Sequence, residues 1–150
     1  MSVIAEEVIT PSLIAEMLAL SRDYYEKFSG EITEPVRIDS GYYLDAALKG
    51  GLCLVTCRTA EGVLVGYALG LVLNSPTFDC RIGNVAMYYL DLKHRSNRNA
   101  INMLERLESL FKAKGCAIVE THSPIAGNIC ALFERIGFKA KDVIYQRRIK

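Results

Sequence analysis

The chain has 150 residues, 51% hydrophobic and 23% charged, with a formal net charge of +1. Those values suit one globular domain with a sizeable core and exclude a disordered chain. They also argue against a bulk electrostatic nucleic-acid binder, which would be clearly basic. Glu6 and Glu7 stand where a signal peptide would carry a basic start and an apolar run. The longest nearly apolar run, Gly62 to Leu73, has 12 residues and is too short to span a bilayer. The expectation is a soluble cytoplasmic protein with no membrane partner. Five cysteines, an odd number, fit buried free thiols in a reducing compartment better than a disulfide framework. Cys53 and Cys57 share a face of one expected strand, but no CxxC pair or nearby histidine completes a metal set, so no metal is expected.

Along the chain, Thr10-Pro11 sets a capping hydroxyl before a proline at the first helical position. Leu13, Met17, Leu20, Tyr24 and Phe28 then recur at helical spacing, which predicts a helix from about 11 to 28, stopped by Gly30. Asp39 or Ser40 can cap a second helix running to Lys49 and closed by Gly50-Gly51. "LCLVTCR", the turn "TAEG" and "VLVGYALGLVL" read as an antiparallel hairpin. "NVAMYYLDL" follows as a third strand, rich in aromatic and branched residues.

From about Asn99 to Lys114, Ile101, Leu104, Leu107, Leu110 and Phe111 form one apolar stripe ending at Lys114-Gly115, a third helix. "CAIVETH" is a fourth strand, "AGNICALFERIGF" a short helix with a glycine stop, and "VIYQRRI" a last strand. The passage from 84 to 122, strand then helix then strand, implies two parallel neighbours joined by a crossover. The expected fold is one mixed α/β (α+β) domain over residues 1–150, a mixed central sheet flanked by helices.

Two passages carry chemistry. In "YLDLKHRSNRNA" a strand ends in basic and amide residues and a helix begins at once, although no glycine occurs between Gly83 and Gly115. Backbone N–H groups at a helix start lack intrahelical partners, and the helix dipole adds partial positive charge, so such a start can hold a phosphate. The second passage is "NICALFERIGF".

In this element order the two passages resemble the GNAT-type N-acetyltransferases, and the resemblance covers nearly the whole chain. The family has Arg or Gln-x-x-Gly-x-Gly or Ala opening the helix, matched here by Arg95 and Ala100. Its Asn-x-x-Ala-x-x-(Leu or Phe)-Tyr-x-x-x-Gly-Phe pattern is met at Asn128, Ala131, Leu132, Gly137 and Phe138. The resemblance implies acetyl-CoA as co-substrate and direct attack of a primary amine, borne by a small molecule or a peptide. It assigns Tyr89 and Leu90 backbone contacts to the pantetheine arm and the thioester carbonyl. Arg95, Ser96, Asn97, Arg98, Asn99 and Ala100 would hold the pyrophosphate, with Asn128 as a further contact. It also makes a homodimer conceivable.

The chain departs from the pattern twice. Arg98 replaces the central loop glycine, and Phe133 stands where the family has the tyrosine that protonates the leaving thiolate. Asn97 and Asn99 tolerate left-handed backbone, and a guanidinium can pair with phosphate, so compensation at the loop is open. The strand before the loop offers Asn84, Tyr88 and Asp91 in place of the glutamate used by many family members.

His122 and Glu120 are therefore the base candidates, against a loop histidine bonded to backbone and a solvated edge charge. Tyr88 and Tyr145 are the candidate acids, against simple packing. His94 is a phosphate contact or a solvated ring. Lys93, His94, Arg95 and Arg98 could also be read as a nucleic-acid patch, but nothing extends them into a stripe. Tyr24, Tyr25, Tyr42 and Tyr43 are expected mostly in the core, with one or two facing an acceptor. The competing reading is a catalytically inactive binding or structural module, one version of which keeps coenzyme A.

Overall fold

The computed structural model describes residues 2–95, 98–125 and 129–149. The described residues form, in order, β1 (Ser2–Glu6), α1 (Pro11–Lys27), α2 (Ser40–Leu48), β2 (Leu52–Thr59), β3 (Leu64–Asn74), β4 (Arg81–Leu90), α3 (Asn99–Ala113), β5 (Cys116–Thr121) and α4 (Ile129–Arg135), with a 3₁₀ turn at Leu92–His94 before α3. One sheet runs β1-β2-β3-β4-β5. Its first four strands pair antiparallel, and β4 pairs with β5 in parallel across the α3 crossover.

Local chemistry accounts for the helix starts. The Thr10 hydroxyl accepts from the Leu13 N–H at 3.1 Å, and Pro11 follows where no N–H is needed. Asp39 caps α2 by accepting from the Tyr42 N–H at 3.1 Å. Among the described residues, no helix is long and apolar enough to cross a membrane.

The sheet has a core on each face. On one, α1 and α2 cover Leu54, Tyr67, Leu69 and Met87 with Leu13 and Met17. On the other, α3 lays Met103, Leu107 and Phe111 on Val55, Val65, Ala68 and Val85. Cys53 and Cys57 sit together in this second core as free thiols. Two glycines let α3 approach closely: a Cβ at Gly70 or at Gly83 would overlap the Phe111 ring. The expected stripe on α3 thus continues through Met103, wholly buried although the spacing did not mark it.

Two expectations are corrected. No strand is expected before α1, yet β1 pairs with β2 from Ser2↔Thr59 to Glu6↔Val55. This short edge strand leads into a long-range ion-pair set, with Arg58 bonding Glu7 at 2.9 Å and Glu16 at 3.0 Å. No local pattern encodes those partners. Conversely, Val143–Ile149 is expected as a strand but pairs with none, and Tyr145 and Ile149 are 90% and 93% exposed. Strand propensity needs a ladder partner to be realised. Here the segment is tied to the loop after α1 instead: the Gln146 side chain accepts from the Glu31 N–H at 3.2 Å, and Arg148 grips Glu34 through two nitrogens at 2.8 and 2.6 Å.

Candidate active site

The site begins where β4 outruns β5. Parallel pairing ends at Val85↔Thr121, and Ala86 to Leu90 continue without β5 alongside. On the other edge β4 stays paired with β3 up to Gly66↔Leu90, but the register skips Ala86, with Leu69↔Met87 followed by Gly70↔Val85. One inserted residue reverses which face each later side chain meets. Val85 therefore lies in the α3 core and Met87 in the α1 and α2 core, while Tyr88 and Leu90 return to the α3 side.

The same alternation sorts the backbone donors. The Asp91 N–H donates to the Val65 carbonyl at 2.8 Å, so Tyr89, two residues back, also turns its N–H and C=O toward β3. Tyr88 and Leu90 turn theirs to the edge that β5 has left. Of the two backbone contacts expected, Leu90 stands at the open edge. The Tyr89 backbone is turned toward β3, and its ring packs at 5.6 Å from that of Tyr24.

The turn into α3 is held by its own side chains. Arg95 Nε donates to the Leu90 carbonyl at 2.8 Å, so this guanidinium closes over the end of β4. His94 Nδ1 lies 3.3 Å from Asp91, and the Asn99 amide donates to the His94 carbonyl at 2.9 Å. Asn99 also reaches Ser2 Oγ at 3.4 Å and so ties the turn to β1. Arg98 adopts the left-handed conformation, φ 65° and ψ 11°, the single positive φ among described non-glycine residues. The backbone that favours glycine is thus kept with a side chain in place, at a strain of about 1–2 kcal/mol. The Arg98 guanidinium lies 4.0 Å from Glu105, two turns along α3, rather than over the helix start. Among the described residues no side chain caps α3, leaving the first-turn N–H groups of Asn99, Ala100 and Ile101 without an intrahelical partner. Ser96, Asn97 and Asn128 lie outside the described residues.

Phe133 is buried, with its ring 6.3 Å from Tyr88 and 5.5 Å from Phe138. The Tyr88 hydroxyl donates to the Ala100 carbonyl at 3.2 Å and thereby joins β4 to the start of α3. Burial pushes the Tyr88 phenol up, opposed by the positive charge of Arg95. Glu120 is exposed and in register with Asn84, while His122 is exposed just past the last paired residue of β5. Tyr145 lies on the C-terminal segment beside Glu31 and Ile32. The structure thus gathers Tyr88, Leu90, Arg95, Ala100 and Phe133 around the open edge and places Glu120 and His122 at its rim. Among the described residues no group of three or more His, Cys, Asp or Glu could hold a metal ion.

One part of the site is absent from the motif reading. On the α1 and α2 face, a groove of about 470 Å³ opens beside Met87, bounded by α1, the loop before α2, α2 and Gln146. The aromatic pairs Tyr24-Tyr25 and Tyr42-Tyr43 were the signal for it. The bulge that turns Met87 into the groove leaves no trace in composition.

No protein-family model and no curated protein matches the sequence. Solved structures do. An aminoglycoside acetyltransferase from an uncultured soil metagenomic sample superposes with TM-score 0.75 at 14% identity, over 100% of this chain and 99% of that one. The ribosomal-protein-alanine N-acetyltransferase of Brucella melitensis biovar Abortus 2308 gives 0.70 at 19%, over 99% of each. AAC(6')-Iy, solved with the bisubstrate analogue CoA-S-monomethyl-acetylneamine, gives 0.70 at 14%, over 100% of this chain and 99% of that one. One is named for aminoglycosides and another for a ribosomal-protein alanine, and at 14–19% identity what the three share with this chain is architecture. From β1 to the C-terminal segment, the chain has the fold of the GNAT-type N-acetyltransferases.

Proposed function

We propose that the protein transfers the acetyl group of acetyl-CoA to a primary amine. The observation that carries this reading is the open edge of β4 from Ala86 to Leu90, lying next to the start of α3, which no side chain among the described residues caps. When bound there, acetyl-CoA supplies an activated acyl thioester. The residues present fit it: the first-turn N–H groups of α3, without an intrahelical partner, and the basic Arg95 suit a pyrophosphate, with Ser96, Asn97, Arg98 and Asn128 assigned to the same contact from sequence. The Leu90 N–H, aimed at the open edge, is the donor to the thioester carbonyl, where negative charge grows during attack.

His122, at the rim of the gap, is the base assigned to the amine proton, with Glu120 the second candidate. Tyr88, whose ring adjoins Phe133, is the candidate proton donor to the leaving thiolate, a role in which its hydroxyl would turn from the Ala100 carbonyl to the sulfur. Phe133 has no proton to give, and this favours a second reading in which the chain binds coenzyme A without turnover.

Calorimetry with acetyl-CoA, followed by thiol release in the presence of amines, tests both readings. The expected outcome is micromolar binding and amine-dependent release, with Phe133→Tyr raising kcat by restoring a phenol. Binding without release from any amine would leave the second reading standing. No heat at high micromolar acetyl-CoA would remove both.

A further inference from the structure

The groove beside Met87 has a composition that narrows the acceptor. Its walls are largely aromatic and branched: Tyr25, Phe28, Ile32, Tyr42, Tyr43 and Met87. At about 470 Å³ it falls within the range of small-molecule sites. Its charged side chains, Glu34, Arg37 and Asp39, are already matched. Glu34 is held by both terminal nitrogens of Arg148. Asp39 accepts from the Tyr42 N–H and stands 3.8 Å from Arg37. A polycationic aminosugar would need unmatched carboxylates, and a phosphorylated amine an unmatched cation. Neither is on offer in the groove.

A neutral anchor is present instead. The Ser21 hydroxyl lies 2.7 Å from the Met17 carbonyl and 2.6 Å from the Tyr67 hydroxyl. The Tyr67 hydroxyl in turn donates to that of Tyr25 at 3.3 Å, which fixes the Tyr25 ring against the core. The Tyr25 oxygen keeps a second lone pair as an acceptor for a substrate. Burial, reinforced by Tyr67, pushes the Tyr25 phenol far above its ordinary range, so it positions a substrate and does not remove protons. The faces of Tyr42 and Tyr43, which meet edge to face at 5.2 Å, can hold an ammonium group without a carboxylate.

We infer that this groove takes a small primary amine carried on an aromatic or branched apolar body, with the Tyr25 oxygen accepting one of its N–H bonds. This rests on the acetyl-transfer reading above. The test measures thiol release at saturating acetyl-CoA with 2-phenylethylamine, kanamycin, glucosamine 6-phosphate and a short peptide bearing an N-terminal alanine. The expected kcat/KM for 2-phenylethylamine exceeds each of the others by about tenfold or more, the discrimination of a well-filled apolar pocket. Tyr25→Phe raises its KM by roughly 2- to 10-fold, the worth of one hydrogen bond, with kcat and the acetyl-CoA Kd unchanged. Tyr42→Ala, at a position 57% exposed and outside the core, raises KM while leaving the thermal midpoint in place. A preference for kanamycin, the sugar phosphate or the peptide overturns the inference and leaves acetyl transfer intact. So does an unchanged KM in both variants. Failure to bind acetyl-CoA would remove acetyl transfer itself, and this inference with it.

Discussion

Helices α1 and α3 begin in opposite ways. At α1 the Thr10 hydroxyl closes on the Leu13 N–H and Pro11 removes one orphan donor. At α3 a left-handed Arg98 precedes the first turn, and no side chain among the described residues caps it. The far end of α3 is closed with care, since the Lys114 carbonyl accepts from Arg81 at 3.0 Å and Gly115 takes the positive φ of the exit. Among the described residues, the start of α3 beside the free edge of β4 thus differs from the capped starts of α1 and α2. The contrast separates two jobs. A cap spends helix-start donors on the fold, whereas an uncapped start keeps them for a ligand and leaves the helix to be held by packing.

If packing holds α3, its removal should be the largest effect. Phe111→Ala empties the notch formed by Gly70 and Gly83 and is expected to destabilise by about 3–5 kcal/mol, read as a lowered urea midpoint with unchanged slope. Next in size is Thr10→Ala, which takes away the closed start of α1 at about 1 kcal/mol, visible in the same measurement. Smallest is Arg98→Gly. It relieves the roughly 1–2 kcal/mol of left-handed strain and returns about 0.5–1 kcal/mol as added freedom of the unfolded chain. The midpoint should stay level or rise slightly. A fall larger than that of Thr10→Ala would break the comparison, because Arg98 would then be holding α3 in place.

Much of the fold was legible because helix signals are local. The hydroxyl before Pro11, the Asp39 cap and the glycines at 30 and 115 act within one turn, and the structure has α1, α2 and α3 where they indicate. The hairpin of β2 and β3 was equally plain, as was the parallel pairing of β4 with β5 around a crossover helix. The C-terminal "VIYQRRI" misled for the converse reason: its composition suits a strand, but a strand exists only against a partner. β1 was missed because Ser2–Glu6 is short and gains its place from β2 and from Arg58, more than fifty residues away.

The candidate site divides along the same line. By itself the sequence determined that a helix start rich in basic and amide residues follows a strand, that Arg98 stands at a position asking for glycine, and that Phe133 lacks a hydroxyl. Those are statements about residue type and spacing, which the chain carries openly. Only the tertiary structure decided that Ala86 bulges out of register, sending Met87 to the groove beside α1 and α2 and turning the Leu90 N–H to the open edge. It alone set the Arg95 guanidinium on the Leu90 carbonyl and linked Tyr25 through Tyr67 to Ser21. The reason is physical: which face a strand residue meets depends on the register of the whole ladder, and register is settled by contacts between segments that are remote in the chain.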